Sequence, residues 1–367
     1  MRYKVPFIKP HFPSSAEIAD DYNEIVESNW FTNFGKFEVK FRSEIENYIG
    51  DNVFACTAAN ATLALDVAIL HFLKKGRATK VITQSFTFSA ASIRLTANGY
   101  TPVFIDIDTK LQPDISQARA YLKEYHDEVS GILICNTFGV GNPQIEDWEV
   151  LAKEYNVPLI IDSAAGFGSE YYEGEKIGSR GDCEVFSFHA TKPLSIGEGG
   201  AITSKNQKDI EGMRSLTNFG FDTDHHITAI GTNAKLQEIS SAIGCRQIND
   251  FDARLAKRRN ILEVYKSHLT DLNYSFQAND NISSVPFATV ISQDSSQASK
   301  LISKLNKAGI GARDYYRPLH YQQKLTHMFE VAGSLDYTEE VASKVVSLPV
   351  HDDMDDKDMD FIIKQFQ

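Results

Sequence analysis

The sequence predicts an α/β protein, a three-layer domain built on a mainly parallel sheet and followed by a smaller α+β unit, and three observations carry that expectation. Between about residue 50 and residue 205, short apolar runs bounded by turn residues alternate with stretches of helical period. Beyond Thr203 the pattern turns helical, and a charged stretch without Pro or Gly, residues 247–272, leads into a further strand and helix series. With 367 residues, 42% of them hydrophobic and 23% charged, the chain has ordinary globular composition and enough length for two sub-domains.

Taken in order, the expected strands cover residues 52–56, 80–83, 103–105, 130–135, 157–162, 183–188 and 200–203. Between the first two, residues 61–73 place Leu65, Ala68, Ile69 and Phe72 at helical spacing; Trp148, Leu151, Ala152 and Tyr155 do the same before the 157–162 run. These helices each have one face to bury. Residues 233–243 read as a helix and 247–272 as one long helix, so the domain change is expected near Gly244, dividing the chain into a large domain 1–244 and a small one 245–367. The second part then reads as a strand over 283–291, a helix over 296–308, a turn at 309–311 and a final helix over 356–367.

Several function classes are excluded early. A formal net charge of −12 repels polyanions and no basic tail offsets it, so nucleic acid is not an expected partner. Cys56, Cys135, Cys183 and Cys245 lie far apart without a C-x-x-C pair, which predicts neither a disulfide framework nor a metal site but small buried thiols in a reducing, cytoplasmic setting. The longest apolar stretch, residues 64–73, is interrupted by Asp66 and His71, too early for a membrane span. Gly166-x-Gly168 is followed by Tyr171 where a dinucleotide fingerprint needs a third glycine, and no G-K-[ST] phosphate loop occurs.

In open parallel sheets ligands sit beyond the carboxyl ends of the strands, so polar residues there merit a chemical reading. Asn60-Ala61-Thr62 opens the first helix, where free backbone N–H groups and the Thr62 hydroxyl suit a phosphate; an N-cap is equally what any helix start shows. Asp162 ends the run Val157-Pro158-Leu159-Ile160-Ile161 and precedes small residues, so its carboxylate emerges from the core needing a cationic partner or capping the next turn. Lys192 stands between the strand ending at Phe188 and the flexible Gly197-Glu198-Gly199-Gly200. An amine desolvated there becomes a nucleophile able to form an imine, although most lysines are solvated surface charge.

The set, rather than any member, points to a cofactor: a phosphate pocket, the aromatic face of Ser85-Phe86-Thr87-Phe88, a carboxylate and a lysine are what pyridoxal 5'-phosphate requires. These residues also resemble a known family, the sugar aminotransferases of the DegT/DnrJ/StrS group, which have the aspartate aminotransferase fold (PLP fold type I). The resemblance runs through Trp30-Phe31-Thr32-Asn33-Phe34-Gly35, Asn60-Ala61-Thr62-Leu63-Ala64-Leu65, Asp162-Ser163-Ala164-Ala165 and Ser187-Phe188-His189-Ala190-Thr191-Lys192. It continues in Gly231-Thr232-Asn233 and Tyr315-Tyr316-Arg317-Pro318-Leu319-His320.

By that resemblance Lys192 holds the cofactor as an imine, Asp162 pairs with its ring nitrogen and Phe88 stacks on the ring. Asn60, Ala61, Thr62 and Ser187 bind the phosphate, and Asn233 reaches the phosphate of the other subunit in a homodimer with shared active sites. Trp30, Thr32, Asn33, His189, Arg313, Arg317, His320 and Lys235 are expected around the substrate. One departure is Ala165, where the family commonly carries His or Gln against the ring. The resemblance implies amino transfer from glutamate to a nucleotide-linked keto sugar. The pattern S-F-H-A-T-K-P-L-S with G-E-G-G is closer to enzymes acting at C-4 than at C-3, so a dTDP-4-keto-6-deoxyhexose is expected, its amino sugar destined for a bacterial surface polysaccharide such as the O-antigen of lipopolysaccharide. A sugar dehydratase of the same family is disfavoured by Lys192 and by the absence of a cysteine cluster, and a non-catalytic regulator by the intact cofactor set.

Overall fold

The computed structural model describes residues 3–74, 76, 78–278, 281, 283–322 and 328–366. Its centre is an eight-stranded sheet. The strands are β1 (Phe54–Ala58), β2 (Lys80–Gln84), β3 (Thr101–Ile105), β4 (Val129–Cys135) and β5 (Leu159–Asp162), then, after a small hairpin of β6 (Glu170–Tyr172) and β7 (Glu175–Lys176), β8 (Cys183–Ser187) and β9 (Gly200–Ser204). Their spatial order is β1-β9-β8-β5-β4-β2-β3, and β12 (Glu330–Val331) adds an edge beside β3. Only β9 runs against the rest, pairing antiparallel with both β1 and β8.

Alternation along each strand sends successive side chains to opposite faces. Ile132, Ile134 and Ile161 enter one core with Trp148, Leu151 and Phe186, whereas Leu133, Ile160 and Val185 enter another with Leu65, Ala68 and Ile69. Both faces are covered, which is why the strands read as continuous apolar runs and not as alternating ones. On the first face lie α2 (Lys36–Ile49), α5 (Ile115–Tyr125) and α6 (Ile145–Glu154); on the second lie α3 (Ala61–Phe72), α4 (Ala90–Ala97) and α7 (Gln207–Thr217). Each fully buried Leu, Ile or Phe contributes roughly 1.5–3 kcal/mol.

A second, three-stranded sheet of β10 (Ser275–Phe276), β11 (Ala288–Ile291) and β13 (Val345–Leu348) has its own core with α10 (Ser295–Lys307) and α13 (Asp356–Ile363). The helix α1 (Ser15–Ser28) begins with a capping box, Ser14 and Glu17 each bonding the other's backbone N–H.

Three expectations are corrected. The helices expected over 233–243 and 247–272 are instead α8 (Glu238–Asn249) and α9 (Phe251–Leu269), broken at Asp250 and followed by a 3-10 turn, Thr270–Leu272. Residues before Glu238 stay extended because Ala59 donates to the Ala234 carbonyl and Ala234 donates to that of Thr217. Gly244 breaks nothing: it lies inside α8, where a Cβ would come within 2.6 Å of the Phe41 ring, so its bareness lets α2 and α8 approach. The strand expected over 283–291 is confined to β11, because Val285 turns at φ 47° and Pro286 has no N–H to pair. The last helix ends at Ile363, and Gln367 lies outside the described residues.

Candidate active site

Beyond the carboxyl ends of β2, β4, β5 and β8 lies a cavity of about 580 Å³. Its wall includes Asn60, Ala61, Thr62, Phe88, Asp162, Ser187, His189 and Lys192, so the sheet brings eight of the expected residues to one space.

The first side of the cavity is the start of α3. Asn60 is its N-cap, with Oδ1 accepting from the Leu63 N–H at 2.9 Å and its carbonyl accepting from Ala64. The amides of Ala61 and Thr62 have no acceptor among the described residues, and the Thr62 side chain is exposed to the same space. This end of the helix rests on Gly200, where a Cβ would stand 2.8 Å from the Ala61 nitrogen. The helix start, the Thr62 hydroxyl and the nearby Ser187 thus form a donor set suited to a phosphate.

Asp162 ends β5 and is 3% exposed. Its Oδ1 accepts from the Ala164 N–H at 3.0 Å. Burial raises its pKa, against the lowering effects of that amide and of Lys192. Lys192 is carried on a loop closed by backbone bonds from Phe188 to Gly199, Ala190 to Gly197 and Lys192 to His189. Burial lowers its pKa, while the charge of Asp162 pulls it up. Desolvation outweighs attraction at both groups, so burial works against the charged form of each.

Phe88 is 60% exposed although it borders the cavity, presenting a bare aromatic face. His189 Nδ1 accepts from the Thr191 N–H at 3.2 Å and lies 3.0 Å from the Thr191 hydroxyl, while Nε2 is 3.5 Å from Glu198. Ala165 lines the cavity as a small residue with Phe7, Phe287, Tyr315 and Tyr316 around the same space.

Beneath Asp162 runs a buried polar network. Asn136 donates to Ser163 Oγ at 2.8 Å and to the Tyr171 hydroxyl at 2.9 Å. Ser163 and Tyr171 both donate to Glu184, at 2.6 and 3.0 Å, and the Gly178 and Arg180 amides donate to its other oxygen. Burial raises the Glu184 carboxyl to about 7.

The remaining expected residues lie elsewhere. Trp30 and Thr32 are exposed before α2 and outside the cavity wall. Asn233 is exposed and accepts from Lys235, which also donates to Asn218. Arg313 lies over the rings of Tyr3 and Phe7, and Arg317 pairs with Asp314 at 2.7 Å. His320, expected near substrate, is tied instead into the fold, Nδ1 to Ser85 Oγ at 2.7 Å and Nε2 to Glu339 at 3.2 Å. Arg313, Arg317 and His320 thus have neighbours within the chain, and none of the three lines this cavity. Sequence reasoning gave no site role to Phe7, Ile8, Cys135, Asn136, Glu198 and Phe287; Cys135 at the end of an expected strand, Asn136 directly after it and Glu198 in the Gly-rich loop carried a positional signal.

Among the described residues no helix is long and apolar enough to cross a membrane, and no cluster of three metal-ligating side chains occurs. Comparison with known proteins matches residues 14–367 to the model of the DegT/DnrJ/EryC1/StrS aminotransferase family. The chain is 42% identical to protein Rv3402c of Mycobacterium tuberculosis, over 99% of this chain and 90% of that one. It is 30% identical to the dTDP-4-amino-4,6-dideoxy-D-glucose transaminase of Shigella dysenteriae, covering 97% and 96%. Among solved structures, a Bacillus cereus ATCC 10987 protein assigned as a PLP-dependent aminotransferase superposes with a TM-score of 0.91 at 31% identity, covering 99% of both chains.

Proposed function

Because the chain belongs to the DegT/DnrJ/EryC1/StrS aminotransferase family and is a pyridoxal phosphate-dependent sugar-nucleotide transaminase of type I fold, we propose that it moves an amino group from glutamate to dTDP-4-keto-6-deoxy-D-glucose, giving dTDP-4-amino-4,6-dideoxy-D-glucose. The observation that carries the assignment of the site is the meeting of Lys192 and Asp162 in one cavity with the open start of α3. The donor set there fits the cofactor: free amides and a hydroxyl for a phosphate, an aromatic face for a ring, and a buried carboxylate short of a cation.

The cofactor, when bound, supplies the electron sink. The chain's own residues do the rest. Ala61, Thr62 and Ser187 would hold the phosphate, and Phe88 would cover one ring face. Asp162 would keep a proton on the ring nitrogen, and its burial would make that pairing strong. Lys192 would anchor the cofactor and, as a free amine, would take the proton from the donor's α-carbon and deliver it to the cofactor's C4′ carbon; burial lowers its pKa, which favours the proton-accepting form.

The dTDP-4-keto choice is supported by the Shigella relative and by the G-E-G-G pattern at Gly197-Glu198-Gly199-Gly200. The product of such a reaction suits a surface polysaccharide. The wall of the cavity carries Lys192 as its one lysine and no arginine among the described residues, whereas the substrate is a diphosphate. A homodimer answers this deficit, the second copy bringing Asn233 and basic side chains across the exposed Phe219, Ile227 and Ile230. Incubation with glutamate and a panel of nucleotide-linked 3-keto and 4-keto sugars, with products identified by mass and NMR, tests the proposal. Amination at C-3 alone overturns the regiochemistry, and sedimentation as a monomer overturns the shared site.

A further inference from the structure

Two arginines on α9, one helical turn apart, are buried at 4% exposure each: Arg254 and Arg258. Between them stands the carboxylate of Asp352, buried as well, 2.6 Å from Arg258 Nε and 3.5 Å from Arg254 Nη1. Apart from one further carboxylate, that of Asp250, their other bonds go to backbone carbonyls. Arg254 Nη1 donates to Pro193 at 3.2 Å, Nη2 donates to Gln247, and Nε pairs with Asp250 at 3.0 Å. Arg258 Nη1 donates to Val285 at 3.2 Å and to Val350 at 3.0 Å.

Two of these carbonyls belong to residues adjoining the cavity wall in sequence. Pro193 directly follows Lys192, and Val285 directly precedes Pro286 and Phe287, both of which line the cavity wall. Val285 is a β-branched residue at φ 47°, a left-handed conformation that persists only where the surroundings hold it. Guanidinium groups suit this task because their donors are planar and rigidly spaced.

We propose that Arg254, Asp352 and Arg258 are positioning residues that fix the Lys192 segment and the Phe287 segment relative to each other, so that the amine and the facing aromatic wall keep the spacing the cofactor needs. This rests on the reading of Lys192 as the cofactor-bearing amine. Burial, Asp162 on β5 and Cys135 on β4 act on that amine, and His189 and Glu198 on its own loop line the same cavity. Loosening the Pro193 anchor would move Lys192 away from this fixed setting and admit water, and solvation favours the charged form of its nitrogen, whether as free amine or in the imine that the visible band of the loaded protein reports.

The test uses full-length Asp352→Asn and Arg254→Met proteins, with Arg259→Met as a control because Arg259 Nε bonds only its own helix, at the Leu255 carbonyl. Two quantities are read on each: the dissociation constant of pyridoxal phosphate, by absorbance titration of cofactor-free protein, and the pH midpoint of the visible band of the loaded protein. The array variants should bind cofactor about tenfold more weakly or worse. Their midpoint should rise by about one pH unit, while the control changes neither. If Arg254→Met does not fold, the isosteric Asp352→Asn decides. A lower melting temperature with affinity and midpoint unmoved assigns the array to stability alone and overturns the proposal. Lys192→Ala is read in parallel: a borohydride-fixed cofactor in that variant sinks the reading of Lys192 itself, separately from the array.

Discussion

Replacing Asp162 by Asn keeps the shape of the side chain and removes its charge, which separates what the carboxylate does for the reaction from what it does to the fold. In the cofactor-free protein the carboxylate is a liability: it is 3% exposed, takes one backbone hydrogen bond from Ala164, and has its pKa raised by burial. A carboxyl whose folded pKa lies above its unfolded one costs nothing while both states are protonated, and the cost appears as pH rises through that interval. Asp162→Asn should therefore melt no lower than the wild type without cofactor at pH 8. With cofactor bound the sign reverses, since the lost ion pair held a proton on the ring nitrogen. Removing one preorganised charge partner costs about 100- to 1,000-fold in rate, roughly 3–4 kcal/mol. Stopped-flow absorbance of the half-reaction with glutamate reads this directly. A variant that reacts within about threefold of wild type with cofactor fully bound would falsify the assignment of Asp162 to the ring nitrogen.

Other outcomes follow from single contacts. Gly200→Ala places a Cβ 2.8 Å from the Ala61 nitrogen, the Asn60 carbonyl carbon and the Phe186 oxygen, all backbone, so it should weaken cofactor binding by lifting the start of α3; unchanged affinity in an absorbance titration would count against the phosphate site. Phe88→Ala, at a side chain 60% exposed, should alter the melting of cofactor-free protein little while weakening cofactor binding by about 0.5–1.5 kcal/mol; equal affinities would remove its stacking role. Burial raises Glu184 from 4.5 to about 7, so its contribution to stability is full below the lower value and is lost as pH climbs past the upper one. The unfolding free energy of the cofactor-free protein, from denaturant titration, should fall across that interval by up to roughly 3 kcal/mol, and a Glu184→Gln protein with the same slope would show that another group is responsible.

The central sheet and the residues at its carboxyl ends were legible because each strand is a closed apolar run with polar residues directly after it, as Asp162 follows Ile161 and Asn136 follows Cys135. Topology then does what sequence spacing cannot, bringing α3, β5 and β8 to one rim. The far wall was not legible. Phe7 and Ile8 sit in a segment without period, and Phe287 follows a backbone turn at Val285 that a β-branched residue disguises. The α8 and α9 boundary was misplaced because a mid-helix glycine signals a break unless its partner ring is known, and that ring, Phe41, comes from α2. The bonds of His320 to Ser85 and Glu339 were not legible either, because residue type alone does not reveal which neighbours meet its two nitrogens.

The two-residue strand β12 has a bearing on how this protein is born. It pairs with β3 through Glu330 and Val331, which leave the ribosome more than two hundred residues after their partners Val103 and Phe104. Until then the flank of β3 presents bare amide and carbonyl groups on an otherwise completed layer, an adhesive margin for any neighbouring chain. Crowded polysomes should therefore aggregate nascent chains stalled shortly before residue 330 more than those stalled beyond residue 350, and a holdase that shields strand margins would be most useful in that window.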